Sequence, residues 1–364
     1  MRGRSAVGGW EAGLLGAIVL VAAALRLVSL PSRGPWDADQ GAHLLVVRAL
    51  VTEGKVPLVG PVTSFGTIHH GALYYDLLAP AAWLSGTDPS VVVLTIVLAG
   101  LGALVATWWL ARQLGGPLAG AIAAGVMAVS ATEVASSTFI WNPTLLPLGG
   151  SLAFAGATWA WLERRPAGWL IAATGLLVAM QAHLLGALLL PPLVALWALD
   201  LRGTRGRAGR RRLLTAGVGA VAILVLGHVQ LVANELTTGF SETRGAVAYL
   251  TGGAAAGSTV GDLPVRLVLV AVRILSWPFT GLFVDAYVPA VLVSGLVLGL
   301  LAWRLRAARL ADRVALTWIA ATLGWCWVAL ALAVPGLATV VRQLPFDHYH
   351  AFLDPAVVAI VAIG

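Results

Sequence analysis

Long apolar runs separated by short polar clusters fill the whole chain, and nowhere do polar and apolar residues alternate strictly. Residues 12–30, 90–111, 117–133, 143–162, 213–233, 287–303 and 314–334 each match the roughly 17–25 residues that a helix needs to cross a hydrocarbon core. A lipid-exposed backbone must satisfy its own hydrogen bonds, so these runs predict helices, and the alternation that a β-barrel requires is missing. The fold class expected is all-α: a polytopic membrane helical bundle of about ten transmembrane helices with two outer-face interfacial helices.

Two runs break the simple count. Residues 71–85 would reach about 22 Å as a helix, short of the roughly 30 Å core, and they contain Asp76 and Pro80. They predict a helix lying at the interface. Residues 167–200 lie between Arg164-Arg165 and the basic run from Arg202 to Arg212. Both flanks favour the cytoplasm, so this stretch predicts a hairpin turning outside near Gln181 and His183. By parity, 265–285 becomes a second interfacial helix after a Gly/Thr/Ser-rich outer loop, 234–264. A final span begins at 351. The stretch 351–364 is too short to cross, so a truncated C-terminus is expected. The whole chain, 1–364, reads as a single transmembrane domain whose first outer loop, with its interfacial helix, covers 31–89.

Charge supports this topology. Arg2 and Arg4 put the N-terminus inside, and only eight of the 23 basic residues then face out: Arg26, Arg33, Arg48, Lys55, Arg244, Arg266, Arg273 and Arg342. The chain is 59% hydrophobic and 11% charged, with a mean hydropathy of +0.89, a balance no soluble domain needs. A net charge of +7 could suit nucleic acid. The basic residues instead cluster between apolar spans, so the partner they indicate is a lipid bilayer and no nucleic acid is expected. A lone cysteine, Cys326, excludes an internal disulfide, and it and His228 read as packing residues. The first span lacks a convincing small-x-small cleavage site and reads as retained. The location implied is the cytoplasmic (inner) membrane.

Polar chemistry gathers on the outer side. Asp37, Asp39, His43, Lys55, His69, His70, Tyr74, Tyr75, Trp141, Asn142, Gln181, His183, Asn234, Arg342, His348, Tyr349 and His350 all fall there, including six of the seven histidines. Ionisable groups at a bilayer edge are costly without a role. A carboxylate could act as general base on a hydroxyl, cations could hold a phosphate, and aromatic rings could pack on a sugar or a lipid. Plainer readings stand beside these. Asp37 and Asp39 could cap a helix over 40–52. Tyr74, Tyr75 and Trp141 could form an aromatic belt, Gln181 and His183 could cap the hairpin turn, and Lys55 and the outer arginines could bind anionic lipids.

Six passages carry a resemblance. They are Trp36-Asp37-Ala38-Asp39-Gln40-Gly41, Gly60-Pro61-Val62-Thr63-Ser64, His69-His70-Gly71-Ala72-Leu73-Tyr74-Tyr75, Phe139-Ile140-Trp141-Asn142-Pro143, Gln181-Ala182-His183 and His348-Tyr349. In this order the chain resembles the GT-C glycosyltransferases, the polyprenyl-phosphate-sugar-dependent group that includes protein O-mannosyltransferases and lipid A aminoarabinose transferase. The resemblance implies an inverting transfer from a polyprenyl-phosphate sugar donor to a hydroxyl acceptor (a lipid, a glycan or a protein) at the outer face. It implies a catalytic base in the first outer loop, with Asp39 the closest match and Asp37 the second. Lys55, Arg342 or an arginine of 265–285 would hold the departing phosphate. His69, His70, Tyr74, Trp141, Asn142, Gln181, His183, His348 and Tyr349 would line the sugar or acceptor pocket. No cofactor is indicated beyond a divalent metal ion, whose ligands the motifs leave unknown. Two passages depart from relatives: Asn142 stands where an acid often precedes proline, and His69-His70-Gly71 stands where Lys-Pro or Pro-Pro often opens the interfacial helix. A transporter or flippase of lipid-linked sugars would instead need polar groups along a midplane path and internal repeats, and few such groups and no clear repeat occur. A non-catalytic cell-envelope scaffold would tolerate loss of the Asp39 charge.

Overall fold

The computed structural model describes residues 7–33, 36–63, 68–251, 263–281, 287–333 and 348–364. Arg342, named above as a phosphate ligand, and Ser64 of the second passage lie outside them. The described chain is built of helices: α1 (Gly9–Leu27), α2 (Ala38–Glu53), α3 (Leu73–Ser85), α4 (Pro89–Gly115), α5 (Pro117–Val129), α6 (Ala131–Ser136), α7 (Leu146–Glu163), α8 (Ala167–Ala182), α9 (Leu190–Gly203), α10 (Arg207–Gly227), α11 (Val229–Thr238), α12 (Ser241–Thr251), α13 (Leu263–Thr280), α14 (Tyr287–Ala307), α15 (Leu310–Ala333) and α16 (Asp354–Ile363). Seven helices among the described residues are long and apolar enough to cross a membrane, or eight if the bent pair α10–α11 counts as one span. α5, α8 and α16 are shorter apolar helices.

Paired polar side chains fix the helix directions. Glu11, early in α1, pairs with Arg112, late in α4, through an Nη2 to Oε2 bond of 3.1 Å. Arg26, late in α1, donates to the carbonyls of Met127 and Ala128 at the end of α5, at 3.1 and 3.3 Å. So α4 runs antiparallel to α1 and α5 parallel to it. The chain enters α4 from the end of the bundle where α1 finishes, and α2 and α3 make no net crossing between them. We name that end the first-loop end and the opposite one the basic end.

The stretch 167–200 is a hairpin. Trp169, early in α8, donates its indole N–H to Asp200, late in α9, at 3.1 Å, and Arg164 also pairs with Asp200. The turn falls at His183, whose backbone is extended between the helices. At the basic end Arg304 of α14 reaches the carbonyl of Leu114 at 3.5 Å, and Trp161 reaches that of Ala311 at the start of α15 at 3.1 Å. Later in α15, Trp325 donates to Leu188 beside the hairpin turn at 3.0 Å. α14 therefore runs to the basic end and α15 returns. α13 is long enough to span, yet both its ends lie toward the first-loop end. Trp327 donates to the Leu267 carbonyl at 2.7 Å, and Ser130, just past α5, donates to the Pro278 carbonyl at 2.7 Å.

Three sequence expectations shift. The run 117–133 breaks at Ser130, which leaves the helical region (ψ 123°) and caps α6 with its hydroxyl. The span expected at 213–233 begins at Arg207, because arginine is a good helix former, and bends by 51° at His228. His228 donates Nδ1–H to the Leu224 carbonyl at 2.8 Å, and Gln181 donates to the Gly227 carbonyl at 2.9 Å. Both carbonyls lie where the helix ladder is interrupted. The loop expected over 234–264 carries α12 and the second half of α11.

The tightest seam is between α7 and α8, where small residues let the backbones touch. A Cβ on Gly156 would lie 2.6 Å from the Ala172 nitrogen and 2.7 Å from the Gly168 oxygen, which are backbone atoms that cannot swing aside. Gly13 on α1 has open space at the same position. We predict that Gly156→Leu destabilises the protein by about 3 kcal/mol or more and sharply lowers its thermal unfolding midpoint. Gly13→Leu leaves the midpoint unchanged.

Candidate active site

The loop after α1 opens with a helix start. Asp37 is the N-cap of α2: its Oδ1 accepts the Asp39 N–H at 2.9 Å, while Gln40 Oε1 accepts the Asp37 N–H at 3.0 Å. The plainer reading of Asp37 as a cap is thus what the geometry shows. Asp39 sits two positions further on, exposed, at the positive end of the helix dipole. Its carboxylate makes no hydrogen bond or ion pair among the described residues. Of the two acids, Asp39 is the one left available for chemistry.

One turn on, His43 points into the protein and is buried. Its Nδ1 lies 3.3 Å from the Tyr74 hydroxyl, and its ring packs edge-on against both Tyr74 and Tyr75. Burial lowers the His43 imidazole below its usual value, partly offset by the charges of Asp39 and then Asp37. The same aromatic packing buries Tyr75 and pushes its phenol up to about 12.

The histidines form the centre. His70, buried just before α3, lies 4.8 Å ring to ring from His183 at the hairpin turn. His183 lies 5.3 Å from His348 and 5.4 Å from Tyr349. His348 in turn meets the edge of Trp141 at 4.5 Å and stacks on Tyr349 at 4.2 Å. Burial, with His348, His69 and His43 nearby, brings His70 down to about 4. Burial, then His348 and His70, holds His183 well below its usual value. His183 Nδ1 accepts the Leu185 N–H at 3.2 Å, which puts its remaining proton on Nε2. The buried Nδ1 of His70 has no hydrogen-bond partner among the described residues.

Beside this cluster lies a recess of about 30 Å³ walled by Trp141, Trp277, His348 and two buried carboxyl groups, Glu133 and Asp354. Asp354 Oδ1 lies 3.2 Å from His350 Nδ1. Arg273 places its guanidinium 5.1 Å above the Trp277 ring. Glu133, Asp354 and Trp277 escaped the sequence reasoning as site residues. One signal was present: Glu133 is the only acid between Asp88 and Glu163.

Other expected site residues also make structural contacts. Gln181 accepts the Leu73 N–H at the start of α3 at 3.3 Å while donating to Gly227. Any side chain at Gly71 would collide with the Gln181 amide. Asn142 donates to the Ala182 carbonyl at 2.7 Å, tying the second loop to the hairpin turn. His69 clamps Glu242 of α12 through both its backbone N–H (2.6 Å) and its Nδ1 (2.9 Å). Lys55 is exposed just beyond the C-terminus of α2 and paired with Glu53 at 2.6 Å. From Asp39 to Glu53 the helix is about 21 Å long, so Lys55 stands beyond the opposite end of α2 from Asp39. Among the described residues no group of three or more His, Cys, Asp or Glu could hold a metal ion.

No protein-family model matches the chain, and no curated protein matches it by sequence. Solved structures do. ArnT from Cupriavidus metallidurans bound to undecaprenyl phosphate aligns with a TM-score of 0.60 at 17% identity, over 98% of this chain and 60% of that one. Its apo form gives 0.60 at 16%, over 97% and 60%. The Archaeoglobus fulgidus oligosaccharyltransferase in complex with Zn and sulfate aligns with a TM-score of 0.41 at 15% identity, over 95% of this chain and 53% of that one. The chain thus has the fold of ArnT and spans about 60% of that protein's length.

The depressed histidines set a pH dependence. An unfolded chain takes up protons on these imidazoles below about 6.5, whereas folded His70 resists protonation until about 4. Stability is therefore full above pH 6.5 and falls as the pH drops toward 4. The thermal midpoint at pH 5 should lie below that at pH 7, and His70→Asn should flatten the slope between them.

Proposed function

We propose that the protein is an integral membrane glycosyltransferase. It would move a sugar from a polyprenyl-phosphate carrier to a hydroxyl acceptor at the outer face of the cytoplasmic membrane. The observation that carries this reading is the unengaged Asp39 carboxylate at a helix N-terminus, next to a buried histidine and aromatic cluster at the same end of the bundle. The ArnT-like fold supports it, since that protein is seen with undecaprenyl phosphate.

In this reading the Asp39 carboxylate takes the proton of the acceptor hydroxyl. The acceptor oxygen forms a bond to the anomeric carbon as the bond from that carbon to the phosphate oxygen breaks. The polyprenyl phosphate leaves with the bonding electrons. A single displacement inverts the anomeric centre, and the phosphate, already a good leaving group, needs no general acid. His43 lies beneath Asp39 and is kept largely neutral by burial. It steadies the start of α2 through Tyr74. His70 and His183, whose charged forms burial disfavours, offer hydrogen bonds to sugar hydroxyls together with His348, while Trp141 and Trp277 pack against the ring. Arg273, held over Trp277, is the cation we assign to the departing phosphate.

Transfer of radiolabelled sugar from polyprenyl phosphate by the full-length protein tests this. Asp39→Asn should lower kcat by 100-fold or more, about the contribution of a positioned general base, with the thermal midpoint unchanged. Asp37→Ala should cost about 1 kcal/mol of stability through the lost cap while keeping most of kcat. Full activity in Asp39→Asn would refute the assignment.

The phosphate assignment separates in the same assay. Arg273→Ala should raise KM for the donor about tenfold, as loss of a charge-assisted hydrogen bond does. Lys55→Ala should change it by less than about twofold, as an exposed ion pair warrants.

A further inference from the structure

At the basic end, α8, α9 and α10 diverge and leave a cleft of about 470 Å³. Its walls are apolar: Trp169 and Leu176 from α8, Leu193 and Trp197 from α9, Leu214 and Val221 from α10. From Leu214 to Leu224 the lining rises about 15 Å along α10, deep into the hydrocarbon. Among the described residues the Trp197 indole N–H is the one buried side-chain polar atom of this lining without a partner, so the cleft offers water little to bond and suits a hydrocarbon chain.

The mouth of the cleft has the opposite character. A shallower recess formed by Arg207, Arg210 and Arg211 shares Leu214 and Val218 with the apolar cleft, so the two surfaces are continuous. Arg210 is oriented by its Nε bond to the Thr204 carbonyl at 3.1 Å. The acid at the end of α9, Asp200, is buried and already bonded to Arg164 and Trp169, so it does not oppose an anion there. Charge above and hydrocarbon below describe an amphiphile with a phosphate head.

We infer that this cleft binds an anionic phospholipid of the leaflet that the basic end faces, its phosphate on Arg207, Arg210 and Arg211 and one acyl chain between α8, α9 and α10. A basic pocket between spans at a membrane surface favours anionic headgroups. The occupant is a bilayer phospholipid and not the sugar donor, because the donor's phosphate belongs at the first-loop end with Asp39. This choice between the two lipids rests on the proposed transferase reading, whereas retention of phosphatidylglycerol at the basic end is measured without transferase activity.

Purified full-length protein, incubated with equimolar dioleoyl phosphatidylglycerol and dioleoyl phosphatidylcholine and washed, provides the test by native mass spectrometry of retained lipid. Phosphatidylglycerol should be retained about tenfold over phosphatidylcholine. Two independent variants should abolish that preference: Val218→Trp, which fills the cleft from a side chain that is 70% exposed, and Arg207→Gln/Arg210→Gln/Arg211→Gln, which removes the charge. Equal retention of both lipids would overturn the inference, as would a preference that survives Val218→Trp in protein with an unchanged thermal midpoint. Undecaprenyl phosphate displacing phosphatidylglycerol at equal concentration would assign the cleft to a carrier lipid and overturn it too.

Discussion

A carbonyl at a helix end inside a bilayer has no water to turn to, and the architecture of this protein follows from meeting that demand with few polar side chains. Arg26 covers the end of α5. Ser130 joins α6 to α13, and Gln181 joins the start of α3 to the break after α10. Asn142 ties the second loop to the hairpin turn. These bonds gather at the end of the bundle where the helices are interrupted, so the interruptions themselves create a rigid, polar surface there.

That surface gives the candidate site its character. Buried structural polar groups hold the loops so that His70, His183, His348 and Trp141 meet although they come from four distant stretches of chain. Burial then disfavours the charged forms of His70 and His183, leaving neutral hydrogen-bonding groups suited to hydroxyls. Asp39 is the exception that makes the arrangement useful, an exposed acid whose own neighbour, Asp37, has taken over the capping work.

The apolar runs made the helices legible, and the basic residues flanking 167–200 made the hairpin legible, because both effects act locally along the chain. Residue roles were less so. Gln181 and Asn142 read as pocket residues because they fall in passages that resemble a glycosyltransferase family, and folding gives each a carbonyl partner, 46 and 40 positions away. Glu133 and Asp354 were not singled out, since only folding brings them to one recess with Trp141 and Trp277. The helix in 241–251 was hidden by a composition that reads as loop, and His69 meets Glu242 of that helix across 173 residues.

The central claim is that Asp39 and the histidine and aromatic recess act on one substrate. Photo-crosslinking with a polyprenyl-phosphate sugar carrying a diazirine on the sugar tests it most directly, with labelled peptides read by mass spectrometry. The account predicts labels on the start of α2 around Asp39 and on the stretches holding Trp141 and His348, all competed by unlabelled donor. Competed labels confined to other parts of the bundle, such as α8 to α10, would contradict it.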